Sequence, residues 1–300
     1  AVEKGINFID CANVYGRGWS EQVLGQALKR LGRRDQFVIT TKVGQKKMSE
    51  EPSQEGLSRD YILSEIDRSL QRLKVDYVDI YLMHQPDPAV ALEESLQAMD
   101  EVVRQGKARC VGISNHHVGE VLEMLWVSER LGLSPPKVLQ YQYSLLNRWH
   151  TEYNLIPLCE RHGLGLMTYS PLAVGLLTGL IRKGGPIPVD SPWSDRTRLA
   201  SILGHAEPVI VSLLDTAREL GKTPAQVAIA WLLANPAVSV PVLGPDLPEH
   251  VDELVGAIGW QLSSEQKALL DDVSSFGGPF MLDKGSLPTV PRRHLGGGTK

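Results

Sequence analysis

The chain has 300 residues, 42% hydrophobic and 22% charged, with 31 Lys and Arg against 35 Asp and Glu, a formal net charge of −4. This is ordinary globular composition with enough mass for one large core, and the charge argues against a broad basic surface of the kind that holds nucleic acid. No apolar run reaches the ~18 residues of a membrane span. The three cysteines, Cys11, Cys110 and Cys159, lack paired spacing and point to reduced thiols in a cytoplasmic protein rather than to a disulfide scaffold or a zinc site.

Ala1–Gly5 reads as the tail of a helix with its glycine stop, followed at once by a strand. No signal peptide is evident, and the expectation is a chain that begins inside a fold. Ile6–Ala12 then reads as a strand and Ser20–Leu31 as a helix, with Ser20 and Glu21 stabilising its free amides. Phe37–Val43 is a strand. Ser58–Lys74 is an amphipathic helix, with Ile62, Ile66, Leu70 and Leu73 at three- and four-residue spacing.

Val78–His84, Arg109–Asn115, Val138–Leu145 and Leu164–Ser170 read as further strands. The helices between and after them are Ala91–Gln105, Val118–Leu131 and Tyr153–His162. A Gly- and Pro-rich loop of ~30 residues, from Ala173 to about Gly204, has the length of a functional lid. Helices Val209–Leu220 and Pro224–Asn235, strand Val238–Leu243 and helices Glu249–Ile258 and Ser264–Val273 complete the pattern. The tail from Phe276 to Lys300 is polar, with a flexible Gly296-Gly297-Gly298 and a solvated Arg292-Arg293-His294.

Strict alternation of strand and helix is the sign of a parallel α/β sheet. Seven units are present, and a first unit apparently missing from the chain would make the eight of a (β/α)8 TIM barrel. The rival is a doubly wound open sheet, which carries a GxGxxG turn after its first strand. Tyr15-Gly16-Arg17-Gly18-Trp19 lacks that spacing, so the barrel is favoured, over residues 1–275 with a C-terminal tail over 276–300.

Asp10, Tyr15, Lys42 and His84 each stand at or just past the end of an apolar run. In a parallel barrel, strand ends are where catalytic side chains converge. A free tyrosine, with a pKa of ~10, is a poor acid at neutral pH, and a neighbouring ammonium favours its phenolate. Lys42 can supply that charge, Asp10 can hold Lys42 charged and oriented, and His84 can orient a substrate carbonyl. Together they make a general acid for a carbonyl oxygen. The hydride must come from a cofactor, since no side chain donates one. Taken singly, each residue has a bland reading as turn aromatic, solvated cation, loop histidine or turn cap. Their recurrence at equivalent strand–loop junctions joins them. His116-His117 has no third ligand at zinc spacing, so no metal site is expected.

The run Gly5-Ile6-Asn7-Phe8-Ile9-Asp10-Cys11-Ala12-Asn13-Val14-Tyr15-Gly16, followed by Ser20-Glu21-Gln22-Val23-Leu24-Gly25, closely resembles the signature of the aldo-keto reductase family. Thr41-Lys42-Val43-Gly44 and Asp76-Tyr77-Val78-Asp79-Ile80-Tyr81-Leu82-Met83-His84 resemble its lysine and histidine strands. The match continues through Gly112–Asn115, Gln140–Leu145 and Tyr169–Leu172, and the Ser170-Pro171-Leu172 turn and final helices resemble the bacterial and potassium-channel β-subunit branch more than the mammalian aldose reductase branch.

The resemblance implies a nicotinamide cofactor at the C-terminal face of the barrel, with Asp10, Tyr15, Lys42 and His84 as a tetrad and Tyr15 as proton donor. Ser114, Asn115 and Gln140 would bind the nicotinamide amide, which suits neutral side chains that both donate and accept. Tyr169 would stack on its ring. Ser170, Pro171, Leu172 and Gly175 would run beside the pyrophosphate, and Arg196, Gly244, Asp246, His250 and Glu253 complete the implied cofactor set. NADP(H) is the family's preference. Asp246, two residues after Gly244, stands where positively charged or hydroxyl residues are common, and a carboxylate there leaves NAD(H) open. Leu254, His250 and Leu180 also depart from the pattern, and Arg198 is a further cation near Arg196. Cys11 replaces the usual Thr or Ser, either as a small buried residue or as an oxidant-sensitive thiol. Trp19 and Trp193 are candidate pocket walls.

The expected activity is reduction of a small or sugar-derived carbonyl compound. The alternative is a nicotinamide-binding regulatory or sensor subunit with little turnover. Neither a nucleic-acid nor a membrane partner is expected, and homo-oligomerisation is left open.

Overall fold

The computed structural model describes residues 1–45, 56–187, 191, 193 and 195–275. The tail over 276–300, with its glycine and arginine runs, lies outside them. The strands are β1 (Phe8–Asp10), β2 (Val38–Val43), β3 (Val78–Met83), β4 (Ala108–Ser114), β5 (Val138–Gln142), β6 (Gly165–Tyr169) and β7 (Val238–Val242). They stand in sequence order in one seven-stranded sheet. Pairing from β1 through β5 is parallel, with Asp10 opposite Thr40, Lys42 opposite Leu82 and Ser114 opposite Gln140.

Between and after the strands lie α1 (Trp19–Leu31), α2 (Arg59–Leu73), α3 (Leu92–Arg104), α4 (Val118–Leu131) and α5 (Ile156–His162). They are followed by α6 (Arg196–Leu220), α7 (Pro224–Leu233), α8 (Pro248–Val255) and α9 (Ser264–Val273). Ahead of β1, Val2–Lys4 is a single 3₁₀ turn closed by Gly5, whose N–H reaches the Val2 carbonyl.

The chain forms two compact units, Ala1–Tyr141 with Pro157–Met167, and Gln142–Ile156 with the described residues from Thr168 onward. In the first, β3 is buried at every position and β2 at all but its first. Strands covered on both faces lose the alternation of a half-exposed sheet and read as continuous apolar runs. Helix α2 buries Ile62, Ile66, Leu70 and Leu73, as their spacing predicts, and each such side chain contributes roughly 1.5–3 kcal/mol. His117 caps α4: its ring accepts from Gly119 N–H, and Glu120 accepts from the His117 N–H.

The second unit has its own core, built on Leu176, Leu203, Val209, Leu213, Val227 and Trp231. Its largest departure from expectation is α6, which starts at Arg196 instead of Val209. Asp195 caps it through an oxygen that accepts from Arg198 N–H, and the helix runs on through Pro208. The proline forfeits one backbone bond, but Leu199, Ile202, Leu203 and Ala206 ahead of it are all buried in the core. The long loop therefore ends at Asp195. Thr197–Leu220 is long and apolar enough to cross a membrane by length and composition. Leu203, Val209, Ile210, Leu213 and Ala217 of this helix pack into the core, while Val211 faces outward.

The helix expected from Tyr153 begins instead as a π-helical turn, Thr151–Leu155. Pro157 has no N–H to return to the preceding turn, and Ile156 N–H bonds the Thr151 carbonyl, one residue wider than an α-helix.

Candidate active site

The chemistry-bearing residues of the first unit lie at or near the ends of four strands and in the middle of a fifth. Asp10 ends β1, Lys42 lies near the end of β2, His84 follows β3, Ser114 ends β4 and Gln140 lies within β5. The Lys42 side chain is fully buried. Its three ammonium protons go to Asp10 Oδ2 at 2.5 Å, the Cys11 carbonyl at 2.7 Å and Tyr15 Oη at 3.2 Å. Burial alone would lower the lysine pKa, but the Asp10 charge, then Tyr15, outweigh it and raise it above 10.5. The ammonium is thus held charged inside the protein. The phenol it bonds is not enclosed: Tyr15 is 39% exposed.

His84 packs edge-on against the Tyr15 ring, with centroids 5.8 Å apart. Its backbone carbonyl accepts from Asn115 Nδ2 at 2.9 Å, and the same amide nitrogen reaches Ser114 Oγ at 2.6 Å. Ser114 Oγ in turn donates to the Gln140 carbonyl. Gln140 Nε2 donates to Asp10 Oδ1 at 2.8 Å, so both carboxylate oxygens are committed, one to the lysine and one to the amide. All seven residues expected here in the first unit form one bonded and packed group. Three features were not expected from the sequence: Gln140 orients Asp10, the Cys11 carbonyl completes the lysine's shell, and Glu21 lies behind the group.

Glu21 stands in the first turn of α1, as the sequence predicts, but it is also fully buried, with Thr41 Oγ1 and Arg72 Nε donating to it. Gly18 is the N-cap and makes no side-chain cap bond. The neighbouring Ser20 hydroxyl lies against Cys11 Sγ at 3.5 Å instead. Cys11 is 3% exposed, and burial pushes its thiol up to about 11. A buried, protonated thiol is a poor oxidant target, so the small-residue reading of Cys11 holds. Cys159 is likewise pushed up to about 11 by burial, and Cys110 is raised. We expect the native protein to react slowly with a thiolate-selective disulfide reagent at pH 8, and the urea-unfolded protein to release three equivalents at once. Rapid modification of one native thiol would contradict this.

The remaining expected residues lie in the second unit. Tyr169 ends β6, and a tight turn follows in which Ser170, Ala173, Val174 and Gly175 all have positive φ. Gly244 and Asp246 are exposed in the stretch after β7, and His250 and Glu253 lie on α8. The Glu253 carbonyl accepts from Gln226. Arg196 is the first residue of α6. Trp193 is not a pocket wall: it is 2% exposed in the core, with its indole N–H on the Val174 carbonyl. Trp19 is half exposed.

A buried Lys–Asp pair whose ammonium donates a hydrogen bond to an exposed phenol beside an imidazole is equipment for proton transfer. A model of the Aldo/keto reductase family matches residues 1–275. The chain belongs to the aldo/keto reductase family. It is 37% identical over 287 residues to a putative voltage-gated potassium channel subunit beta of Schizosaccharomyces pombe, which covers 92% of this chain and 82% of the relative. Probable voltage-gated potassium channel subunits beta of Arabidopsis thaliana and Oryza sativa are each 38% identical, covering 85% of this chain and 79% of theirs. As an aldo/keto reductase the chain has the (β/α)8 barrel class, its seven parallel strand–helix units corresponding to that fold less one. The family is one of oxidoreductases that generally bind NADP(H) and reduce carbonyl compounds.

The first-unit residues fit the nicotinamide end of such a cofactor by the chemistry of their donor set. Ser114, Asn115 and Gln140 are neutral, carry both donors and acceptors, and are tied to Asp10 and His84.

Proposed function

We propose that this protein is a cytoplasmic enzyme that reduces a small aldehyde or ketone, sugar-derived compounds among them, to an alcohol. When bound, the nicotinamide cofactor supplies the hydride. Tyr15 donates the proton to the carbonyl oxygen. Lys42 stabilises the phenolate left behind, Asp10 keeps Lys42 charged and aimed, and His84 orients the carbonyl. Ser114, Asn115 and Gln140 hold the carboxamide of the cofactor. The observation that carries the reading is the bond from the buried Lys42 ammonium to a solvent-accessible phenol. A preorganised cation where negative charge develops is a large term in catalysis. For Tyr169, Ser170, Pro171, Leu172, Gly175, Arg196, Gly244, Asp246, His250 and Glu253 of the second unit, a cofactor-binding role is proposed from the family resemblance alone.

The test is a panel of aldehydes, ketones and the matching alcohols, run with NADPH and with NADH. Turnover of at least one carbonyl supports the enzyme, and oxidation of neither cofactor by any of them overturns it. The exposed Asp246 would repel a 2′-phosphate and accept from a ribose hydroxyl. We therefore expect kcat/KM with NADH to lie within about tenfold of that with NADPH. A larger NADPH preference would remove the repulsion argument. The names of the relatives favour a second reading, a nicotinamide-binding channel subunit that turns over slowly. Tight cofactor binding with no carbonyl reduction would select it.

A further inference from the structure

Behind the candidate site, on the side of α1 and α2, lies a buried ionic cluster centred on Arg72. Its Nε donates to Glu21 Oε2 at 2.6 Å, and one terminal nitrogen donates to Glu65 Oε1 at 2.5 Å and to Ser69 Oγ at 3.0 Å. Both carboxylates are buried. The second oxygen of Glu21 accepts from the Thr41 hydroxyl at 2.5 Å. Thr41 immediately precedes Lys42 in β2, so one branch of the cluster ends on the strand that carries the ammonium.

The other branch ends on the loop that carries the phenol. Tyr15 is joined to α1 by Gly16, Arg17 and Gly18, all in the left-handed region at φ 63°, 56° and 85°. The loop is closed by Ser20 N–H on the Tyr15 carbonyl. Gly18 rests directly on Arg72: a Cβ there would stand 2.7 Å from Arg72 Cδ and 2.9 Å from Nε. Gly25, two turns further on, lies so close to α2 that a Cβ would meet the Arg72 carbonyl oxygen at 2.4 Å. The stem of one arginine thus seats the end of the Tyr15 loop while its head holds the carboxylate that grips the Lys42 strand.

We infer that Arg72 is a positioning residue for the proposed proton donor: through Gly18 on one side and Glu21–Thr41 on the other, it sets the separation of the Tyr15 phenol from the Lys42 ammonium. The inference rests on the proposed roles of Tyr15 and Lys42. A guanidinium is required because two carboxylates and a hydroxyl must be met from different directions at once. A lysine ammonium is a point charge on a flexible stem and lacks the fixed fork. Burial works against the Arg72 charge, and Glu21 and Glu65 outweigh it.

The test uses Arg72→Lys, which keeps the charge and removes the fork, and Thr41→Val, which removes only the hydroxyl bonded to Glu21. Turnover is measured per cofactor-binding site, so that a misfolded fraction does not count. We expect both variants to lose about tenfold in kcat, with KM for the carbonyl and Kd for the cofactor changed less than about twofold. Small misplacements of reacting groups cost on this scale. In crystal structures, the Lys42 Nζ to Tyr15 Oη separation, 3.2 Å here, is expected to lengthen beyond hydrogen-bonding range. Wild-type kcat in both folded variants, or a fall in kcat with the separation unchanged, would overturn the inference. If Arg72→Lys does not fold, Thr41→Val decides alone. If the wild-type protein reduces no carbonyl, the functional reading fails by itself, and the two crystal structures still decide the positioning role.

Discussion

Replacing Tyr15 with phenylalanine is expected to lower kcat at least about a hundredfold, the scale of a lost general acid, while the cofactor binds as before. The substitution removes one oxygen and little else. Lys42 keeps its bonds to Asp10 and to the Cys11 carbonyl, so its charge stays compensated. The phenylalanine ring can keep the edge-on contact with His84. Tyr15 is more than a third exposed, so no core cavity opens and the loss in stability should stay near 1 kcal/mol. Titration of cofactor by protein fluorescence and steady-state turnover on the same preparation separate binding from chemistry. Turnover within about tenfold of wild type would defeat the assignment of Tyr15 as the acid.

Much of this is legible in the sequence because strands buried on both faces leave an unmistakable trace. Runs such as Val78–Met83 mark strands by their length and flanks, and the residue at the far end of the run, Asp10 or His84, is then placed by topology alone. The helices α4 and α9 match their expected bounds because each opens on a side-chain cap, His117 or Ser263, and α4 also stops at a left-handed glycine. The misses have equally local causes. Pro208 looks like a helix boundary, but the apolar residues on both sides of it pack into one core and override the lost backbone bond. Trp193 looks like a loop aromatic because nothing in its neighbours signals that it packs inward.

Glu21 has partners that the sequence does not reveal. An acidic residue near the start of a helix ordinarily favours the dipole, and its actual partner, Arg72, is 51 residues away. Gln140 is a similar case. Its role as a hydrogen-bond partner of Asp10 spans 130 residues and exists only once β1 and β5 are in place. Long-range polar pairing leaves no periodic signature: opposite charge and acidity suggest the Lys42–Asp10 and Lys42–Tyr15 pairings, but nothing in the sequence points to Gln140 on Asp10 or Arg72 on Glu21.

Replacing Asp10 with asparagine should be the most destabilising single change in the site. Lys42 would keep an ammonium at 0% side-chain exposure with only neutral acceptors to meet it. Removing one partner of a buried pair costs about 3–5 kcal/mol, because the remaining charge is left uncompensated. Asparagine adds a second problem: if its amide oxygen faces Lys42, its NH2 group faces the NH2 of Gln140, which now donates to Asp10 Oδ1. The double variant Asp10→Asn with Lys42→Met removes the stranded charge. It should recover most of the lost stability in urea unfolding while remaining inactive, since nothing then stabilises a Tyr15 phenolate. The pH dependence supplies an internal check. The folded-state pKa of Lys42 lies above its ordinary 10.5, so the stabilisation from its pairing is complete below pH 10.5 and fades as pH rises through the folded value. The stability gap between wild type and Asp10→Asn should therefore be constant near neutrality and narrow above pH 10.5. A gap under about 1 kcal/mol at pH 7 would mean that Asp10 is not what keeps the buried ammonium charged.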